Sequence, residues 1–139
     1  MSEEIPLVRT CWDLGLKGKM LCLTTVFVRW FEDVEDTMFV RMYAELWENK
    51  KLLKRWKYDS ASLKVPHQRD IVAEHEKAVF VALMIWNWPI VVERALDERW
   101  PNEGDYDIPT PIFPGEDVFY DNLREVYERK VRDSAEGRE

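Results

Sequence analysis

The sequence predicts an α+β domain, an N-terminal antiparallel β-meander of about three strands packed against three C-terminal helices. Two observations carry this. Between Lys19 and Ser60 the apolar residues recur with a period of two, and beyond Ser60 the period lengthens to that of helices. Strands first and helices afterwards argue against a doubly wound sheet. At 139 residues the chain has the length of one domain, and it reads as a single unit over 1–139.

The meander spans 19–60, with strand runs "KMLCLTTVFVRWF", "TMFVRMYAELW" and "KLLKRWKYD" separated by "EDVED" and "ENK". Setting Trp30 opposite Met38 and Ala44 opposite Trp56 aligns Val28, Val26, Thr24 and Cys22 with Val40, Met42, Ala44 and Leu46 on one apolar face, which a one-residue slip would destroy. The opposite face then carries Leu21, Leu23, Phe27 and Arg29 beside Arg41, Tyr43, Glu45 and Trp47, with Leu53, Arg55 and Lys57 on the third strand. It is half apolar and half charged, and its Leu21 to Phe27 end calls for cover by another part of the chain.

Residues 67–100 read as a helix pair. Ile71, His75, Ala78, Val79, Ala82 and Ile85 form one stripe, and Pro89 opens the second helix. Residues 101–115 hold four prolines and two glycines and read as a loop; 116–135 reads as a last helix presenting Val118, Phe119, Leu123, Val126, Tyr127 and Val131. The apolar stretch "AVFVALMIWNWPIVV" falls short of the ~20 residues that span a bilayer and is broken by Asn87 and Pro89, so no membrane role is expected.

Composition narrows the chemistry. One Gln and four Asn stand against 47 charged residues, a balance that suits stability at high temperature. Cys11 and Cys22 are the only cysteines and read as buried free thiols. The start "MSEEIPLVRT" lacks a basic region followed by an apolar run, so a cytoplasmic location is expected.

No catalytic signature stands out. His67 and His75 are the only histidines: His67 sits where a helix begins, and His75 lies on the apolar stripe of that helix without a second His four residues away. The glycines form no phosphate-binding loop, and "NEGDYD", with Asn102, Glu103, Asp105 and Asp107, lacks the glycine and glutamate spacing of a calcium loop. Neither metal nor cofactor is called for.

Charge and tryptophan placement remain. The chain has a net charge of −7, yet Met38 to Ser60 carry six cations and three anions, whereas Trp86 to Asp121 carry nine anions and two cations. Interleaved cations and rings in "VRMYAELWENKKLLKRWKY" resemble a platform for single-stranded nucleic acid. The acidic remainder of the molecule disfavours a polyanion, whose binding depends on net neutralisation. A dipolar surface with aromatic anchors suits another protein. The chain is therefore expected to be a non-enzymatic protein-binding module, with Arg41, Tyr43, Trp47, Lys54, Arg55, Lys57, Trp88 and Trp100 as partner-binding residues. A viral or phage regulator seated on host RNA polymerase or another nucleic-acid-processing enzyme is the most specific form of that expectation. The alternatives are a small enzyme or ligand-binding domain with a sheet-lined pocket, and a homodimeric subunit.

Overall fold

In a computed structural model of the chain, the structure describes residues 4–13, 19–84 and 116–136. Five antiparallel strands and two helices are present among them. The strands are β1 (Ile5–Asp13), β2 (Lys19–Trp30), β3 (Thr37–Glu48), β4 (Lys51–Lys64) and β5 (Glu116–Val118); the helices are α1 (Gln68–Met84) and α2 (Tyr120–Glu136). The sheet runs in the order β4-β3-β2-β1-β5. The α+β class thus holds with a larger sheet. The expected second helix of the pair and the proline-rich loop lie outside the described residues.

Three differences from the expected meander have physical causes. Residues 5–13 add a strand on the inner side of β2, where Pro6 beside a register shift obscures the alternation. Residues 116–118 form β5 beside Val8, Arg9 and Thr10 instead of the first turn of a helix. β4 continues past Ser60 to Lys64, because Ser60 to Lys64 have partners in Arg41 to Thr37.

The expected register holds in part. Trp30 faces Met38, Ala44 faces Trp56, Glu45 faces Arg55 and Tyr43 faces Lys57. A bulge between Phe27 and Arg29, however, shifts the rest of β2 by one residue, so Phe27, Thr25, Leu23 and Leu21 face Val40, Met42, Ala44 and Leu46. That shift moves Leu21, Leu23 and Phe27 from the mixed face onto the apolar one and sends Cys22, Thr24 and Val26 the other way. The bulge resolves the cover that the straight register demanded.

Both helices pack on the apolar face. Phe27, Met38, Val40 and Met42 form a core with Ile71 of α1 and with Leu123 and Val126 of α2. α1 starts at His67, whose backbone N–H is accepted by the Asp70 carboxylate 3.0 Å away, one half of a capping box. α2 is fixed to the β1 bulge by Phe119 N–H to the Leu7 carbonyl and Asn122 Nδ2 to the Pro6 carbonyl, at 2.9 and 2.8 Å. The Trp30 indole donates to the Val126 carbonyl at 2.9 Å. His75 sits on the buried stripe, as its spacing indicated, and is 1% exposed.

The two cysteines are not free thiols. Cys11 and Cys22 face each other across β1 and β2 and are joined in a disulfide. Without a strand at residues 5–13 nothing in the sequence set them side by side. The bridge closes a loop of sequence separation 11, for which chain entropy gives about 3 kcal/mol. Reduction, or Cys11→Ser with Cys22→Ser, is expected to lower the urea midpoint by an equivalent amount; an unchanged midpoint would show that the bridge does not constrain the unfolded chain.

Candidate protein-binding face

The register assembles the face that points away from the helices as three rows. One runs Cys11, Cys22, Glu45, Arg55; the next Arg9, Thr24, Tyr43, Lys57; the third Pro6, Val26, Arg41, Ser60. Alternation along each strand thereby brings Arg9, Thr24 and Arg55 onto one carboxylate, Glu45, with Arg41 and Tyr43 on the same face beside Glu4. Glu45 is 2% exposed, and charges so placed must be paired.

Glu45 is paired by several groups. Its Oε1 accepts from Arg9 Nε at 3.2 Å, from the Thr24 hydroxyl and from Trp47 Nε1 at 3.4 Å. Its Oε2 lies 3.3 Å from Arg55 Nε. Glu4 completes the network, meeting Arg41 Nη1 at 3.1 Å and Arg55 Nη2 at 3.9 Å. Rings support the cations. The Arg55 guanidinium lies 3.7 Å from the Tyr43 ring centroid, and that of Arg9 lies 4.9 Å from Trp47 and 5.2 Å from Phe119. Burial, followed by the neighbouring Glu4 carboxylate, raises the Tyr43 phenol above its ordinary value, so the hydroxyl stays protonated beside Glu4.

Of the residues singled out in the sequence, Arg41, Tyr43, Trp47 and Arg55 meet on this face, with Lys57 opposite Tyr43. Lys54 stands opposite Leu46, which belongs to the helix-bearing face. Trp88 and Trp100 lie outside the described residues, as does the 102–107 acidic cluster. Arg9, Glu4 and Thr24 belong to the network and were not singled out.

Elsewhere the polar side chains serve the fold. Both ring nitrogens of His75 are engaged by threonines of the sheet, Nε2 with Thr10 Oγ1 at 2.7 Å and Nδ1 with Thr25 Oγ1 at 2.8 Å. Burial lowers its pKa to about 4, so the ring is neutral, donating through one nitrogen and accepting through the other. On the same side, Glu116 of β5 is raised to about 7 by burial and then by the hydrogen bond and charge of Glu76 on α1. Among the described residues no group of three or more His, Cys, Asp or Glu is placed to hold a metal, and no helix is long and apolar enough to cross a membrane.

Searches of protein-family models, of curated proteins and of solved structures give no match for this chain.

Proposed function

We propose that this chain is a non-enzymatic protein-binding module that acts by occupying a partner's surface through the β3–β4 part of its polar face. The observation that carries this is the locked array of guanidinium groups on rings. Arg55 on Tyr43 and Arg9 on Trp47 are held by Glu45 and Glu4 before any partner arrives, and Arg41 and Arg55 keep side-chain exposures of 34% and 35%. Arginine, tyrosine and tryptophan are the residue types that dominate interface energetics, and groups already ordered lose less entropy on docking. Arg41, Arg55 and the neighbouring Lys57 suit a partner surface bearing carboxylates.

The finer reading is a regulator of viral origin seated on host RNA polymerase or a similar enzyme, working in the host cytoplasm. A disulfide agrees with that compartment when joined to a heat-adapted composition, because intracellular proteins of hyperthermophiles retain disulfides.

Affinity capture from lysate of the source cell, at low and high salt, tests the reading. Arg41→Gln with Lys57→Ala alters two side chains outside the Glu45 hub and is expected to release a stoichiometric protein partner at low salt while leaving the melting temperature nearly unchanged. Retention of the same partner by that variant would place its binding elsewhere; an empty column with wild-type protein would discard the module reading.

A further inference from the structure

β4 is the outer strand of the sheet, and β3 is its one strand neighbour among the described residues. Its two halves differ. In the first half the register shifts twice, leaving Leu53 and Tyr58 unmatched, and Lys51, Lys54, Arg55 and Lys57 crowd the same stretch. Bulges and lysines are the devices by which edge strands repel other strands. From Asp59 to Leu63 both devices lapse: five residues pair with Met42 to Met38 without interruption, and Ser60, Ala61 and Ser62 at their centre are small. The Ser60 backbone N–H is bonded to its neighbour's Asp59 carboxylate at 2.8 Å, which directs it out of the sheet.

We propose that this stretch is the docking edge for a second copy of the chain, β4 against β4 antiparallel about Ala61, so that the two sheets become one. The proposal goes beyond the protein-binding reading, since it uses the strand edge rather than the polar face. Pairing about Ala61 sets Ala61 against its own copy and Ser60 against Ser62. It keeps the helix-bearing faces of both copies on one side, because residues that oppose each other in an antiparallel pair point the same way. The outward N–H of Ser60 and, by alternation, of Ser62 then exchange their hydrogen bonds across the axis, replacing the local bond to Asp59.

Charge selects both the occupant and the register. Sliding the pairing toward the hairpin, about Lys54, would set Lys51 opposite Lys57. About Ala61 no two cations oppose each other: Lys64 meets Tyr58 and Lys57 meets Val65. The ends are complementary as well. The loop between β2 and β3 carries Glu32, Asp33 and Glu35 beside Asp36, whose carboxylate is already taken by Lys130, and it is joined to the end of β4 by the Val65 N–H to the Asp36 carbonyl at 2.7 Å. Antiparallel docking brings the cationic start of each β4 alongside that acidic loop of the other copy.

Sedimentation and cross-linking test this together. The wild-type chain is expected to sediment as a dimer that weakens with salt. Ala61→Cys is expected to give a covalent dimer on mild oxidation, because facing residues of a non-hydrogen-bonded pair stand roughly 4.5 Å apart, within disulfide reach; Leu52→Cys serves as the unreactive control. Ser60→Lys with Ser62→Lys sets lysine against lysine twice and is expected to weaken the dimer about tenfold or more with unchanged circular dichroism. A monomer at every concentration overturns the proposal. So does a dimer indifferent to the lysines and not cross-linked through Ala61→Cys, or an edge filled by an extended segment of a different protein.

Discussion

Replacing Glu45 with alanine is expected to destabilise the protein by about 3–5 kcal/mol, a large part of the stability of a domain this size. The reason lies in what the substitution leaves behind. Glu45 is the acceptor for Arg9, Thr24 and Trp47 through one oxygen and the counter-ion of Arg55 through the other. Arg9 is the more enclosed cation, with a side chain 20% exposed between two rings, and it would lose its carboxylate without gaining water. Arg55→Ala should cost far less, since Arg55 is 35% exposed and its removal leaves Glu45 paired to Arg9. The double variant Arg9→Met with Glu45→Met should recover much of the loss, because well-packed apolar side chains can replace a buried ion pair. Urea denaturation of the three variants against wild type measures each of these differences. A Glu45→Ala loss below about 1 kcal/mol would show that the carboxylate is solvated in solution, as surface pairs are.

The Glu45 network also shows how far the sequence could be read. The β3–β4 register around Ala44 was legible because residues 43–46 and 54–57 pair without a bulge, and so Tyr43, Glu45, Arg55 and Lys57 fell on one face. The β2 half of the same face was not. A single extra residue near Val28 reverses every side chain before it, and period-two reasoning carries no signal for where a bulge sits. Arg9 and the disulfide were lost for a shared reason. Both depend on β1, a strand whose alternation is interrupted at Pro6, and long-range pairing is not encoded in local spacing. The stripe of α1 holds from Ile71 through Ala82, since a helix buries Ile71, His75, Val79 and Ala82 by its own period whatever it packs against; its expected last member, Ile85, lies outside the described residues. What that stripe did not disclose is the pair of threonines waiting for His75 on β1 and β2.

That histidine and the neighbouring carboxyl pair give the second large effect, which appears only when the two are separated. His75 is held down to about 4, so between pH 6.5 and about 4 the unfolded chain takes up a proton that the native ring refuses. Stability falls as pH falls through that window, by about 3 kcal/mol in all. Glu116 behaves in the opposite sense. Raised from 4.5 to about 7, its carboxyl is protonated in the native state where the unfolded chain has already released the proton, so its contribution is complete below pH 4.5 and fades as pH rises through about 7. The two slopes oppose each other between pH 4.5 and 6.5, and Thr10, which bonds His75 and faces Glu116 across β1 and β5, places the groups close together. Each variant should therefore unmask the other. Glu116→Gln is expected to steepen the loss of stability on acidification, leaving the His75 slope uncompensated. His75→Gln, less stable than wild type at pH 7 through its disturbed threonine contacts, is expected to close that gap as pH falls to about 4, because the wild type alone carries the penalty. Glu116 is only half-buried, and surrounding water makes its effect the smaller of the two. Chemical denaturation at pH 4, 5, 6 and 7 resolves both, and a His75→Gln deficit constant across that range would show that the wild-type ring is protonated without penalty.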